Sequence, residues 1–306
     1  MRICAECGFS NRLNFKKCGR CGSEIPSLTG ESSLSPGSIV GKNGRYRVIE
    51  FIGGDDRFLL WKGEDLSRRR RSVVLKIFNP ETGSIAKKDP RLPRFVRKLS
   101  SLSHPNLGSI VSLERENGLS FIVTEYIKGP ALQRFLEQRG RLEEEEVFWV
   151  GREVCLGLMF LHSRNAAHGQ MSLHSLYLNQ KPKIEGRLPT IATSRSHPHE
   201  CIKIDDWVIS RLIHEIASGR KRITRSVWDP ARDMRSLGIV MFHLLTGKRV
   251  TSYKSMKVVK DYESLSGEMK SVLKDCMTGP GNRNSACRML VRIEECGLLL
   301  PAEQPA

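Results

Sequence analysis

The hydrophobic pattern of the chain changes once, near Gly129, and this change limits the folds that the chain can adopt. Between Tyr46 and Ile127, apolar residues form short runs separated by turn residues, which predicts five strands and one short helix at residues 91–103. After Gly129 the spacing becomes helical, first over residues 131–140 and then over a longer helix that opens with four glutamates. A β-rich half followed by a mostly helical half predicts the α+β class.

The first 24 residues carry two Cys-x-x-Cys pairs. Cys4 and Cys7 form one pair, and Cys18 and Cys21 form the other. Together they offer the four sulfur ligands that Zn2+ favours in a tetrahedral site. The short spacing resembles the zinc-ribbon family, and a ribbon this small would take its folding energy from the metal. The alternative is a pair of redox motifs, but a redox Cys-x-x-Cys normally opens a helix in a βαβ context, which this segment lacks. We therefore predict a zinc ribbon over residues 1–24.

Residues 25–40 are rich in Ser, Gly and Pro and show little periodicity, which predicts a flexible linker. Such a linker would let the ribbon unfold independently of the rest of the chain. Gly8 and Gly22 each follow the second cysteine of a pair, where the backbone of such a turn often needs a positive φ.

Composition narrows the class of protein further. The 306 residues are 39% apolar and include 50 Lys and Arg against 33 Asp and Glu, a net charge of +17 that favours acidic partners. No apolar run approaches the roughly 18 residues that a membrane-spanning helix needs, and the N-terminus has no signal-peptide core. The nine cysteines are an odd number without framework spacing, which argues against a secreted disulfide protein. We therefore expect a cytoplasmic protein without a membrane span.

Several motifs between residues 45 and 297 follow the order and spacing of the protein kinase family, which this segment resembles. Val-Val-Leu-Lys ends at Lys76, like the strand whose lysine holds the ATP phosphates, and Phe-Ile-Val-Thr-Glu-Tyr places Thr124 at the gatekeeper position. Asp-Met-Arg-Ser-Leu-Gly, which begins at Asp233, is similar to the motif of the family's core helix. The resemblance implies a vestigial nucleotide-binding site made of Gly53, Lys76, Thr124, Glu125, Ile127 and Asp206.

The same resemblance implies a domain organisation. A protein-kinase-like domain would occupy residues 41–300, with a β-rich N-lobe over about residues 41–128 and a helical C-lobe over about residues 129–300. The expected fold is therefore a bilobal α+β kinase fold preceded by a small zinc ribbon.

The catalytic loop departs from the family pattern His-Arg-Asp-Leu-Lys-Pro-x-Asn. It begins here at His168 and Gly169, with Gln170 in place of the catalytic Asp and Ser175 in place of the metal-binding Asn. A glutamine cannot accept the proton of a substrate hydroxyl as a carboxylate does. Asp206 keeps the Asp of the family's Asp-Phe-Gly metal motif, so one metal ligand remains. Because Gln170 and Ser175 replace the other two residues, the catalytic set is not intact.

The elements that hold phosphate differ as well. Gly53 is the glycine that remains of the glycine-rich loop, where Asp55 and Phe58 occupy the later glycine positions and an acid would repel phosphate. The helix at residues 91–103 has no Glu that could pair with Lys76. We therefore expect ATP and Mg2+ to bind weakly or not at all, and Zn2+ to be a structural cofactor.

These departures predict a pseudokinase that regulates signalling or acts as a scaffold by binding a protein partner. The positive charge suggests a partner that is acidic or phosphorylated. One alternative is a divergent, active serine/threonine protein kinase that transfers phosphate from ATP. The second alternative is a nucleic-acid-associated protein in which the ribbon and basic patches act together.

Overall fold

A computed structural model gives the fold of most of the chain. It describes residues 2–3, 10–11, 17–18, 22, 34–54, 58–68, 70–78, 89–116, 119–169, 171–179, 188–193, 201–206, 229–279 and 285–299. These residues form two compact units, one built from strands and a helix and the other mainly from helices. The predicted order of a β-rich half and a helical half is confirmed. Within the described ranges, no helix is both long and apolar enough to cross a bilayer.

The first unit contains one eight-stranded sheet. Its strands are β1 (Arg2–Ile3), β2 (Ser10–Asn11), β3 (Ile39–Val40), β4 (Tyr46–Gly54), β5 (Phe58–Asp65), β6 (Arg71–Phe78), β7 (Ile110–Glu116) and β8 (Leu119–Glu125). The order across the sheet is β2-β1-β4-β5-β6-β8-β7, with β3 also paired to β4. The pairing is antiparallel throughout except between β1 and β4, which are parallel.

Alternating apolar residues give this sheet its core. Val48, Trp61, Leu75 and Val123 come from four neighbouring strands and are all buried, because every second side chain of a strand points to the same face. The one described α-helix of this unit, α1 (Arg91–Ser100), buries three apolar residues and packs against β7. It ends three residues before the predicted boundary.

The predicted linker ends earlier than the sequence suggested. Ile39 and Val40 form β3, which pairs with Arg47 and Tyr46 of β4, and the amide of Gly37 donates to the carbonyl of Val48 at 2.8 Å. Val40 is also buried in the core of the sheet. The boundary predicted at residue 41 is therefore corrected: β3 supplies hydrogen-bond partners to β4, which the Ser- and Gly-rich composition did not reveal.

The N-terminal segment is also connected to the sheet. β1 pairs with β2 in an antiparallel hairpin, and Arg2 lies opposite Gly54 in the parallel pairing of β1 with β4. This differs from the predicted independence of the head, since β1 satisfies backbone groups at the end of β4 that would otherwise need water.

The second unit holds the remaining strands and α-helices, together with a short 3-10 helix at Lys260–Tyr262. They are α2 (Leu132–Arg139), α3 (Glu144–Ser163), β9 (Leu176–Leu178), β10 (Ile202–Ile204), α4 (Pro230–Thr246), α5 (Tyr253–Lys257), α6 (Gly267–Thr278) and α7 (Ser285–Leu299). β9 and β10 form an antiparallel pair, and α3 packs against α7, α4 and β10.

Local sequence explains where the two central helices begin. A capping box of Glu143 and Glu146 starts α3: the side chain of each glutamate accepts a hydrogen bond from the backbone amide of the other. The side chain of Asp229 caps α4 by accepting from the amide of Ala231 at 3.0 Å. Along α3, a Cβ at Gly151 would lie 3.0 Å from Ile293 of α7, so glycine permits the close approach of the two helices.

Candidate functional site

One buried carboxylate organises the segment that leads into the predicted catalytic loop. Asp233, on α4, is fully buried and accepts from the backbone amides of His168 at 2.9 Å and Gly169 at 2.7 Å. Its Oδ2 also lies 2.8 Å from Nε2 of His162, at the end of α3. Three donors from two segments thus converge on one side chain, and they fix the backbone immediately before position 170.

The tautomer of His162 follows from its surroundings. Its Nδ1 is buried and has no hydrogen-bond partner among the described residues. A buried N–H without an acceptor would cost more free energy than a lone pair without a donor. Nε2 therefore carries the hydrogen and donates a hydrogen bond to Asp233.

His168 connects this segment to the predicted metal motif. Its ring is almost fully buried and its Nε2 donates to the backbone carbonyl of Asp205 at 3.1 Å. The next residue, Asp206, has a φ of +58°, a left-handed conformation that is uncommon for a residue with a side chain. Such conformations persist when the surroundings hold them and they are frequent at functional sites. The structure therefore retains Asp206 in a fixed and strained geometry.

Ser175 takes a structural role in the predicted catalytic loop. Its hydroxyl accepts from the amide of Ser172 at 3.0 Å and donates to the carbonyl of Ser172 at 2.9 Å. Its own carbonyl accepts from the amide of Asp205 at 2.8 Å. The hydroxyl that stands at the metal-ligand position thus closes its own turn. Gln170 lies outside the described residues.

His174 is the titratable side chain of this turn. Burial lowers the pKa of its imidazole, and the nearby Arg249 acts in the same direction against the opposing effect of Glu137. The lowered pKa favours the neutral imidazole, so His174 adds no positive charge to the loop near pH 7.

In the sheet unit, Lys76 and Thr124 lie on one face of two paired strands. Lys76 of β6 is opposite Ile122 of β8, and Val74 is opposite Thr124. Because side chains alternate along a strand, Lys76 and Thr124 are diagonal neighbours on the same face. Both are buried, and the hydroxyl of Thr124 has no hydrogen-bond partner among the described residues.

The helix that the resemblance expects to supply a glutamate is basic in this protein. α1 contains no acidic residue, and Asp89, just before it, is held by Arg91 through a 2.6 Å ion pair. The hydrogen bonds from Arg91 hold the pKa of Asp89 below its usual range against the opposing effect of burial. Asp89 is therefore bound to Arg91 and does not replace the missing glutamate.

The predicted glycine-loop residue Gly53 is part of a β-hairpin. Gly53 has a φ of +145°, and a Cβ at the neighbouring Gly54 would lie 2.6 Å from the carbonyl oxygen of Phe58. The hairpin thus requires glycine for close backbone approach. Asp55, the acid predicted to repel phosphate, lies outside the described residues.

Two residues of the predicted nucleotide-binding site, Glu125 and Ile127, belong to different units. Glu125 ends β8 and accepts from the amide of Ser109 through its side chain at 3.1 Å, while its own amide donates to the carbonyl of Ser109 at 2.8 Å. Ile127 belongs to the helical unit and is mostly buried. Glu125 therefore anchors the end of its strand.

The predicted zinc ligands are largely outside the described part of the chain. Cys4, Cys7 and Cys21 are not described, and Cys18 is buried. The amide of Gly22 donates to the carbonyl of Cys18 at 2.9 Å, and Gly22 has a φ of +73°. The positive φ predicted for this glycine is confirmed. Within the described residues, no cluster of three metal-binding side chains occurs.

Sequence reasoning missed one rigid feature of the sheet unit. Asp65, at the end of β5, is almost fully buried and binds Arg45 through a 2.6 Å ion pair. It also accepts from the amide of Ser67 at 3.0 Å and from its hydroxyl at 2.7 Å. The short spacing of Asp65 and Ser67 is a turn signal in the sequence, but no pattern pointed to Arg45.

Comparison with known proteins finds a matching family model and several relatives of this chain. A family model described as protein tyrosine and serine/threonine kinase matches residues 59–287, about three quarters of the chain. The serine/threonine-protein kinase PrkC of Bacillus subtilis is 27% identical over 217 residues, which cover 69% of this chain and 32% of that protein. The probable serine/threonine-protein kinase PknB of Lactococcus lactis is 24% identical over 209 residues, with coverages of 67% and 32%.

The solved structures agree on the fold. The kinase domain of PknI from Mycobacterium tuberculosis superposes with a TM-score of 0.56 at 14% sequence identity, covering 86% of this chain and 99% of that one. The chain spans about a third of the length of the curated relatives it matches. Those relatives carry the name serine/threonine-protein kinase. The match over most of the chain shows that this protein belongs to the protein tyrosine and serine/threonine kinase family.

Proposed function

We propose that this kinase-family chain is a pseudokinase that acts in signalling by binding a protein partner. The observation that carries the proposal is the hydroxyl of Ser175, which is used in both directions by the backbone of Ser172. Mg2+ prefers carboxylate, amide or water oxygens in an octahedral arrangement, and family members supply an asparagine here. A serine whose hydroxyl closes its own turn supplies no such ligand.

The residue at the position of the base supports the same proposal. Gln170 replaces the carboxylate that accepts the proton of the substrate hydroxyl. Losing a positioned general base costs roughly 100- to 10,000-fold in rate. The basic helix α1, without a glutamate for Lys76, adds to this loss.

A divergent, active serine/threonine kinase is the second candidate, and two observations favour it. The curated relatives carry that name, and Asp206 is kept in a strained left-handed conformation of the kind found at functional sites. Positioning and electrostatics supply most of the catalysis in phosphoryl transfer, so an altered base would slow the reaction without abolishing it.

A transfer assay separates the two candidates. The full chain is incubated with radiolabelled ATP, Mg2+ and generic protein substrates, with Lys76→Ala and Asp206→Ala as loss-of-function controls. The pseudokinase proposal expects the same background signal from all three proteins, and expects Gln170→Asp alone to restore nothing. Transfer that exceeds background and disappears in both controls would establish the second candidate.

Nucleotide binding gives a second, independent measurement. We expect a dissociation constant for ATP above about 100 μM, which corresponds to less than roughly 5.5 kcal/mol of binding free energy. This affinity should depend little on Mg2+. A calorimetric titration of the full chain measures both quantities. Low-micromolar binding that requires Mg2+ would contradict the proposal.

We further propose that Cys4, Cys7, Cys18 and Cys21 bind one structural Zn2+. The four thiol side chains are a donor set suited to zinc, and the Gly22-to-Cys18 hydrogen bond with its positive φ suits a tight turn around a metal. Elemental analysis of the purified chain should find one zinc. A zinc content that survives combined Cys4→Ser and Cys18→Ser substitution would contradict this proposal.

A further inference from the structure

The turn between β5 and β6 presents a group of arginines that the kinase fold does not explain. We call Arg68, Arg70 and Arg71 the arginine turn. All three are exposed, and the side chain of Arg71 keeps 49% of its surface accessible although it lies 3.6 Å from Glu125. The sequence has arginine at all four positions from 68 to 71, and the three that the structure describes are at the surface.

Hydrogen bonds to the buried side chain of Asp65 hold this turn in one shape. The carboxylate of Asp65 accepts two hydrogen bonds from Ser67 and three from the guanidinium of Arg45. The carbonyl of Asp65 accepts from the amide of Arg68 at 3.3 Å. The carbonyl of Arg68 accepts from the amide of Arg71 at 3.0 Å. A network anchored on a buried carboxylate thus fixes the backbone that carries the arginines, which lowers the entropy lost when they bind a ligand.

The middle arginine is held in an unfavourable backbone conformation. Arg70 has a φ of +55°, which glycine adopts readily and residues with a Cβ do not. A glycine at this position would fit the turn without strain, so the backbone conformation does not explain why position 70 is an arginine. The exposed side chain of Arg70 is instead available to bind a partner.

The acids beside the turn are already engaged. Asp65 is bound by Arg45 and Ser67, and Glu64 lies 3.9 Å from Arg47. Arg68 and Arg70 have no acidic partner among the residues that the structure describes. With a net charge of +17 on the chain, the field around the turn attracts an external anion.

We propose that the arginine turn binds a phosphorylated serine or threonine of a partner protein. Guanidinium groups form paired hydrogen bonds to phosphate oxygens, and arginine clusters recognise phosphorylated motifs in this way. Relatives of this chain are named serine/threonine kinases, enzymes whose products carry that group. A cluster of guanidiniums confined to one short turn matches the size of a single phosphoryl group, whereas a nucleic-acid strand needs a longer basic groove with aromatic stacking surfaces.

The inference deepens the protein-binding part of the proposed function, and its test is independent of phosphoryl transfer. Binding of a fluorescent peptide with one phosphoserine flanked by alanine and glycine is measured by anisotropy, with the full chain and no nucleotide, at physiological salt. The same peptide without phosphate and a single-stranded oligouridine are measured in parallel. A failure here leaves the transfer assay unaffected, because Arg68 and Arg70 belong to no predicted catalytic element.

Two double variants remove equal charge from different surfaces. Arg68→Gln with Arg70→Gly acts on the arginine turn, and the glycine should preserve the turn because it suits the φ of position 70. Arg94→Gln with Arg97→Gln removes the same charge from exposed positions on α1. Thermal unfolding of both variants shows whether each is folded.

The expected result has two parts. The phosphopeptide binds at least about tenfold more tightly than the unmodified peptide, and the arginine-turn variant loses about tenfold or more of that affinity, a factor that corresponds to one strong contact. The α1 variant stays within about twofold of the wild type. Equal losses in both variants would indicate a general charge effect and overturn the proposal.

Three further outcomes would also overturn it. They are equal binding of both peptides, no phosphopeptide binding at about 1 mM, and a tighter binding of oligouridine that depends on the arginine turn. The last of these would support the nucleic-acid alternative instead.

Discussion

Two buried aspartates fix two loops of this molecule, one in each unit. Asp233 of the helical unit receives two backbone amides and an imidazole, while Asp65 of the sheet unit receives a guanidinium, a hydroxyl and one amide. The physical device is the same: a carboxylate with little contact to water holds the donors of a neighbouring loop.

The two loops differ in the side chains that they present. The loop held by Asp233 carries positions that the family uses for catalysis, and two of these, Gln170 and Ser175, lack the expected chemistry. The loop held by Asp65 carries arginines in a place where the family motifs require none. The comparison teaches that a buried carboxylate can hold the backbone of a loop whatever side chains that loop presents.

The largest expected effect tests the frame of the helical unit. Asp233→Ala leaves the amides of His168 and Gly169 buried without an acceptor, which should lower the free energy of unfolding by about 3 to 4 kcal/mol. Urea unfolding measures the loss. Asp233→Asn keeps one acceptor oxygen in place and should lose less. A loss below about 1 kcal/mol in the alanine variant would show that the two aspartates do not share a role.

The next effect concerns the frame of the sheet unit and depends on pH. Burial opposes ionisation of Asp65, but hydrogen bonds from Arg45 and Ser67 outweigh it and lower the pKa to about 2 from 3.8. A carboxyl whose pKa is lower in the folded state stabilises the protein above its unfolded pKa and loses that effect as the pH falls. Asp65→Asn should therefore cost about 2 kcal/mol at pH 7.

The pH series provides the control for this prediction. The difference in unfolding free energy between the wild type and Asp65→Asn should shrink as the pH falls from about 4 to about 2. Over that range the carboxyl of Asp65 is protonated first in the unfolded chain and, near pH 2, also in the folded protein. A difference that is constant from pH 7 to pH 2 would mean that the charge of Asp65 does not hold the turn.

A smaller effect tests the structural role of Ser175. Ser175→Ala removes both hydrogen bonds between its hydroxyl and the backbone of Ser172, which should cost about 1 kcal/mol. Ser172→Ala is a matched control because the turn uses only the backbone of Ser172, and it should change stability little. Equal stability of both variants in urea would remove the support for a purely structural Ser175.

The smallest expected effect is a gain. Arg70→Gly relieves the left-handed conformation of a residue with a side chain and should stabilise the protein by up to about 1 kcal/mol. Arg68→Gly, at a position without a positive φ, should instead destabilise it slightly through the greater freedom of the unfolded chain. Thermal unfolding of the two variants compares the signs. A loss of stability in Arg70→Gly as large as that in Arg68→Gly would show that the positive φ of Arg70 costs the folded protein nothing.

Local patterns allowed much of the architecture to be predicted. The strands over Tyr46–Gly54 and Phe58–Asp65 and the long helix Glu144–Ser163 lie where the periodicity places them. The basic helix α1 lacks a glutamate, as the sequence indicates. The nucleotide site stays a prediction. Residue identity indicates which side chains would form it, but a binding cleft depends on how the elements that carry them come together.

Contacts between distant parts of the chain account for what was missed. Arg45 and Asp65 are 20 residues apart, and Arg2 pairs with Gly54 across more than fifty residues. Neither pair has a periodicity or a motif. The linker boundary was misplaced for the same reason, since Val40 becomes a strand residue through its pairing with Tyr46.

The sequence by itself determined the order and type of the elements, the family, and which catalytic side chains are absent, because each of these depends on residue identity at fixed spacing. Only the tertiary structure decided that Ser175 closes its own turn, that Asp65 anchors the arginine turn, and that β1 joins the sheet. A hydroxyl, a carboxylate and a backbone strand can each bond to many partners. Folding selects one partner by bringing donors and acceptors together where water cannot compete.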